Sequence, residues 1–210
     1  DDGYVYQYLL WHMQEAGQQA ELERLLFTYP WLDAKLQATD IVSLIADFDL
    51  RADKGRQTLL GLLQDALRLS TSVLARDKDQ LVSQLHGRLA RLEGAWQTFI
   101  DELVAQKRVA WLQPKLARLT PPGRNLLYNL SGHTEGVDNL LLTTDGKLIS
   151  SCPYNNSQDR TIKVWDIEKG LLLHSLVGHT DGVSNLLLTT DGKLISSCSP
   201  SSRDLAIKVW

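Results

Sequence analysis

The 210-residue chain has little of what marks membrane, nucleic-acid or catalytic proteins. Long apolar runs are missing. The leucine tracts at 140–142 and 171–173 hold three residues each, where a bilayer-spanning helix needs about 20. No membrane partner is therefore expected. A basic excess is also missing. Lys and Arg number 22 against 25 Asp and Glu, a net charge of −3, and both signs are spread over both halves, which excludes a nucleic-acid footprint. Cysteine is scarce. Cys152 and Cys198 are the two present, and they do not form a C-x-x-C pair. They occupy equivalent positions of a repeat described below. Neighbouring repeat units are expected to hold such positions farther apart than the roughly 7 Å Cα limit of a disulfide, so both are read as reduced thiols.

Catalytic signatures are missing too. No G-x-x-x-x-G-K-[ST] occurs. Gly146-Lys147 and Gly192-Lys193 lack the upstream glycine and run into leucine, so they read as turns. No G-x-S-x-G or H-E-x-x-H occurs either. The chain is expected to be non-catalytic, with no cofactor and no metal site. It starts at Asp1 without a basic-then-apolar leader and ends at Trp210 inside a repeat, so a piece of a longer, cytoplasmic protein is expected.

What is present divides into two parts. Residues 1–118 contain only Pro30 and Pro114 and read as helix. Their apolar residues recur three and four apart, as one helix face requires. The stripes are Tyr4, Tyr8 and Trp11; Leu22, Leu25 and Leu26; Ile41, Leu44, Ile45 and Phe48; Leu59 through Leu74; Leu81, Leu85, Leu89 and Leu92; and Trp96, Phe99, Ile100 and Leu103. Each is expected to pack inward, aromatic residues included. Gly17 reads as a helix terminator, Pro30 as a first-turn residue, and Asp40 as an N-cap. Asp77 and Gln80 have capping-box spacing. About seven short helices are expected. Thr120-Pro121-Pro122-Gly123 cannot continue a helix, and the boundary is placed there, with 119–123 as linker.

The second part repeats. Residues 132–152 read GHTEGVDNLLLTTDGKLISSC, and residues 178–198 differ from them only by Asp181 for Glu135 and Ser184 for Asp138. Residues 162–165, Ile-Lys-Val-Trp, recur at 207–210. Each copy starts as a hairpin. Val137–Thr143 leads to an Asp145-Gly146 turn and a return strand Leu148–Ser151. Further strands are expected at Ile162–Trp165 and Leu171–Leu176. Four strands per unit, a period in the forties, a Gly-His start and a Trp end are the pattern of a propeller blade.

This part resembles the WD-repeat family. The resemblance implies a strand at 124–131 that closes a blade, a full repeat at 132–177, and a truncated repeat at 178–210. It also implies a buried hydrogen-bonded set in each repeat: His133, Ser150, Asp159 and Trp165, then His179, Ser196, Asp204 and Trp210. The Ser-to-Asp segment is longer than the family's, and within it Tyr154, Asn155 and Asn156 form a candidate partner-binding loop. A Gly-His in such a repeat is structural rather than a metal ligand.

The helical part, through Tyr8-Leu9-Leu10-Trp11-His12, Trp31-Leu32-Asp33-Ala34-Lys35-Leu36 and Gln84-Leu85-His86-Gly87-Arg88-Leu89, resembles a known helical domain. That domain lies between an NB-ARC nucleotide-binding module and WD repeats in bacterial relatives of apoptotic protease-activating factor. The expected fold class is thus α + β in two domains: an all-α bundle, then an incomplete WD-repeat β-propeller of about two blades. The resemblance implies a sensing segment of a signal-transduction NTPase. Its propeller loops would take a protein partner or ligand, and its helices would act on an upstream nucleotide-binding module. A constitutive scaffold and a targeting region of a larger enzyme are the other readings.

Overall fold

A computed structural model describes residues 4–106, 119–152 and 158–210. The chain divides into two compact units, Asp1–Asn129 and Leu130–Trp210.

Among the described residues the first unit holds seven α-helices. They are α1 (Tyr4–Glu15), α2 (Gln19–Leu26), α3 (Tyr29–Ala38), α4 (Ile41–Asp47), α5 (Leu59–Leu74), α6 (Leu81–Leu89) and α7 (Ala95–Ala105). Short 3-10 turns occupy Phe48–Leu50 and Lys78–Gln80. The last helical residues expected from the sequence, 107–118, lie outside the described set. Local chemistry sets the boundaries. Asp40 accepts from the backbone N–H groups of Val42 and Ser43 at the start of α4, which answers two donors that have no partner inside the helix. Pro30 sits in the first turn of α3. Thr58 caps α5 through Gly61.

The core is aliphatic at its centre and aromatic at one end. Leu22, Leu26, Leu32, Leu36, Leu44, Phe48, Leu63, Leu67, Leu74, Leu85 and Leu89 are fully enclosed. Phe27 meets Trp96 and Phe99 at ring separations of 5.3 and 4.9 Å. Apart from Phe27, Leu32 and Leu36, which no stripe included, these residues belong to the stripes read from the sequence; Leu59 is exposed against that reading, and so is the stripe of α1. There Tyr4, Tyr8 and Trp11 are exposed, against the expected inward packing. The packed face of α1 is Tyr6, Leu9, Leu10 and Met13. Both faces have helical spacing, and the face that meets α3 is the one with the aliphatic residues.

Two buried polar contacts were not visible in the pattern. Lys35 reaches Asp47 at 3.0 Å and the carbonyl of Tyr6 at 2.5 Å, joining α3 to α4 and α1. Burial pushes the Asp47 carboxyl up to about 6, and the Lys35 charge opposes that rise. Arg88 on α6 donates to Ser70 Oγ at 2.9 Å and to the carbonyls of Leu69 and Thr120 at 2.8 and 2.9 Å. Burial lowers its guanidinium to about 10.

The expected linker is held by this unit. Leu119 N–H donates to the carbonyl of Gly87. The side chain of Leu119 lies where a Cβ on Gly87 would meet it at 2.8 Å, so a larger residue at this position of α6 would have to push Leu119 aside. Gly123 is gripped from both sides: its N–H donates to Asp65 at 3.3 Å, and its carbonyl accepts from Gln57 at 3.0 Å. Arg56 bridges Asp65 and the carbonyl of Arg124, at 2.7 and 2.8 Å. The compact helical unit therefore runs on to Asn129, past the boundary placed by Pro121 and Pro122.

The second unit is two antiparallel sheets. The first has the order β1 (Asn139–Leu142), β2 (Lys147–Ser151), β3 (Ile162–Asp166), β4 (Leu171–Leu176). The second has the order β5 (Val183–Leu188), β6 (Leu194–Cys198), β7 (Lys208–Val209). The two hairpins use the same turn: the N–H of Thr143 donates to the carbonyl of Lys147 and the N–H of Lys147 to the Thr143 hydroxyl, and Thr189 and Lys193 repeat both bonds. The sheets pack face to face through Ile149, Ile162, Val183 and Leu194, with Leu141, Val164, Leu176, Leu186, Leu188 and Trp210 around them. The blade-closing strand expected at 124–131 is not formed. A strand exists by pairing with a neighbour, and neither sheet takes this segment into its ladder.

Candidate functional site

Each repeat contains one buried polar chain, built by four segments. The Gly-His loop supplies His133, β2 supplies Ser150, and the turn before β3 supplies Asp159, with Trp165 on β3 itself. An indole N–H can only donate, and Trp165 gives it to Ser150 Oγ at 2.7 Å. Ser150 Oγ lies 2.7 Å from His133 Nε2, and His133 Nδ1 lies 2.7 Å from Asp159 Oδ2. An ionised carboxylate only accepts, so Nδ1 carries the proton, and Nε2 takes the serine hydroxyl proton in the neutral ring. Asp159 also accepts from the N–H of Thr134 at 3.0 Å and from the N–H and hydroxyl of Thr161 at 3.1 and 2.6 Å. Burial opposes its charge, but the bonds from Thr161, His133 and Thr134 prevail and hold it at about 2.

The second repeat reproduces the chain. Trp210 donates to Ser196 at 2.8 Å, Ser196 meets His179 at 2.8 Å, and His179 meets Asp204 at 2.8 Å. Asp204 accepts from the N–H groups of Thr180 and Ala206 at 2.8 and 3.1 Å. The Thr180 bond leads in holding it well below the usual carboxylate range. Ala206 stands where the first repeat has Thr161, so the hydroxyl bond is lost there. In this repeat a Cβ on Gly178 would meet the Trp210 ring at 2.9 Å, so a larger residue there would displace the ring.

Sequence reasoning left the cysteines out of this site, yet they complete it. Cys152 Sγ lies 3.3 Å from His133 Nδ1, and Cys198 Sγ lies 3.2 Å from His179 Nδ1. Both thiols are free and buried. Burial pushes Cys152 up to about 11, helped by the Asp159 charge, and raises Cys198 in the same way. The one signal available was their identical place two residues after Ser150 and Ser196. Tyr154, Asn155 and Asn156 of the candidate loop lie outside the described residues.

The chemistry open to this arrangement is narrow. Ser150, His133 and Asp159 have the order and spacing of a nucleophile triad. However, Ser150 and Asp159 are buried, and the serine oxygen is taken by the Trp165 N–H. A substrate carbonyl has no approach. The His, Cys and Asp ligand atoms of each repeat lie within 4.8 Å of one another, a spacing a metal could use. It would first have to displace the Nδ1 proton from a 2.7 Å bond and the proton of a thiol raised by burial. The set is built as a lock that ties a loop, a turn and two strands together.

Two repeated units, each closed by a Trp–Ser–His–Asp chain, define WD-type repeats, and the comparisons agree. Residues 124–166 and 170–210 match the family described as WD domain, G-beta repeat. Residues 1–87 match the APAF-1 helical domain. The chain is similar to apoptotic protease-activating factor 1 of Rattus norvegicus, 27% identical over 178 residues, a match covering 80% of this chain and 13% of that protein. The chain thus spans 13% of the length of that relative. The order of the two matches and this identity support a relation to apoptotic protease-activating factor.

Proposed function

We propose that this chain is a non-catalytic protein-interaction and sensing segment of a larger protein like apoptotic protease-activating factor. Its WD repeats take a protein partner or ligand on their loops, and its helices act as a lever on an upstream nucleotide-binding module. The observation that carries the lever is the grip on residues 119–124. Arg56, Gln57, Asp65 and Arg88, from α5, α6 and the loop before α5, bind the backbone that leads into the first repeat. A free linker would decouple the repeats from the helices. The segment held by five backbone hydrogen bonds and by Leu119 against Gly87 is the fixed point within the helical unit that such a lever needs. The locked repeats suit a recognition platform, because a rigid scaffold positions loops without an ordering cost on binding.

The test is made in the longer protein. Deletion of residues 124–210 is expected to alter basal nucleotide turnover. The Arg56→Ala/Arg88→Ala variant is expected to reproduce that change while the repeats stay folded. Turnover indifferent to both would leave a constitutive scaffold as the reading.

A further inference from the structure

The polar chain of each repeat ends in a corner where sulfur, nitrogen and oxygen converge. In the first repeat Cys152 Sγ lies 3.3 Å from His133 Nδ1 and 3.9 Å from Asp159 Oδ2, and the nitrogen and oxygen are 2.7 Å apart. In the second, Cys198 Sγ lies 3.2 Å from His179 Nδ1, which lies 2.8 Å from Asp204 Oδ2. Each set of three ligand atoms falls within 4.8 Å. Zinc bonds of about 2.0–2.3 Å, at tetrahedral angles, set edges of roughly 3.3–3.6 Å between such ligands. The sulfur–nitrogen edges are close to that range already. The nitrogen–oxygen edges are about half an ångström short of it, because each now holds a single proton. Loop carbonyls stand beside the sulfurs, that of Glu135 3.7 Å from Cys152 and that of Asp181 3.5 Å from Cys198.

Charge fits as well as distance. A thiolate and a carboxylate carry two negative charges, and a divalent cation cancels both, so the loaded corner buries no net charge. Thiolate and imidazole select a borderline-soft ion over magnesium or calcium, which take oxygen ligands.

We propose that each corner binds one divalent cation of the zinc class, through Cys152, His133 and Asp159 in the first repeat and Cys198, His179 and Asp204 in the second. This departs from the reading of the Gly-His histidines as structural only, and it is independent of the lever. The proton balance is definite. The thiol gives its proton to solvent. The histidine exchanges its Nδ1 proton for one on Nε2, so the ring stays neutral and meets the metal through Nδ1. In the first repeat Nε2–H then donates to Ser150 Oγ, which also takes the Trp165 N–H at 2.7 Å. A hydroxyl oxygen has two lone pairs for two donors, and the serine proton turns away from the ring. Ser150 thereby becomes the outer partner that fixes a ligating histidine. One proton leaves for each ion bound. The hydrogen-bonded lock and the loaded lock are two states of the same side chains.

Cobalt(II) is the probe, because it takes the geometry of zinc and reports it in visible absorption, with a near-ultraviolet charge-transfer band where a thiolate ligates. Chain 1–210 is titrated with it under reducing conditions. Each addition is read to completion, since enclosed ligands load only as the repeat opens locally. Two equivalents with the thiolate band are expected, both displaced by zinc. Calorimetry in buffers of different ionisation enthalpy is expected to give one proton released per ion. Cys152→Ser and Cys198→Ser are each expected to lose one equivalent, and the double variant both, with native tryptophan fluorescence. Absence of the thiolate band in the unmodified chain overturns the proposal, whether or not a variant folds. Two equivalents that persist in the double variant overturn it too, since they would sit on surface histidines and carboxylates. One equivalent, lost in only one variant, removes the site from the other repeat.

Discussion

The thiol of Cys152 lies 3.3 Å from Nδ1 of His133, and Cys198 stands 3.2 Å from His179 in the second repeat. The sulfur fills the corner between the histidine, the aspartate and the loop carbonyl of residue 135 or 181. It is enclosed and raised by burial, so the thiolate that reacts with disulfide reagents is scarce at neutral pH. An aromatic disulfide reagent is expected to label neither cysteine quickly in the folded chain and both at once in urea. Rapid labelling of the native protein would show that the locks open readily.

Removal of Asp159 is expected to destabilise the repeat unit more than removal of Asp145. Asp159→Ala strands the His133 Nδ1–H and the Thr134 and Thr161 donors, at about 1–3 kcal/mol for a buried group left without its partner. Asp145 faces solvent in the hairpin turn, where Thr143 and Lys147 pair with it. An exposed pair of this kind contributes little. The measurement is the urea midpoint followed by tryptophan fluorescence. Equal shifts would contradict a buried chain.

Acid is expected to act on Asp47 and on the two repeat aspartates with opposite sign. Asp159 and Asp204 are held below the unfolded value of 3.8. Their contribution is complete above that value and is lost as pH falls from 4 toward 2. Asp47 is raised to about 6. The folded state takes its proton more readily, so this group adds stability to the helices as pH falls through 6 toward 4. Urea midpoints at pH 7, 5 and 3 should show the fluorescence of Trp165 and Trp210 failing at the lowest pH. Asp159→Asn should flatten that loss for the first repeat.

Arg88 is expected to guard the segment after α7. Trypsin should spare Arg124 in the intact chain, because Arg56 holds the carbonyl of the scissile bond itself and Gln57 the carbonyl of Gly123 before it. Arg88→Ala removes the bond to Thr120 and leaves the Leu69 carbonyl and Ser70 without this donor. Faster cleavage at Arg124 in the variant is the expected outcome, read by mass spectrometry. Cleavage there at one rate in both chains would mean that the grip is weak.

The two-part organisation was legible from residue order alone, because it rests on periodicity. Spacings of three and four declare a helix, and an Asp-Gly turn between alternating leucines declares a hairpin, whatever else surrounds them. The 46-residue match likewise paired His133 with His179, and the Ile-Lys-Val-Trp match, 45 residues apart, paired Trp165 with Trp210. Tertiary structure decided what periodicity cannot express. It chose the aliphatic face of α1 over the Tyr4–Tyr8–Trp11 face, since only one could meet α3. It held residues 119–124 against α5 and α6, since Arg56, Asp65 and Arg88 look like ordinary charged residues until a backbone carbonyl or N–H is placed beside them. It brought Cys152 and Cys198 to the histidines, because sulfur at 3.3 Å is a matter of packing and not of spacing. It left 124–131 without a ladder, because a strand's hydrogen bonds belong to its neighbour as much as to its own sequence.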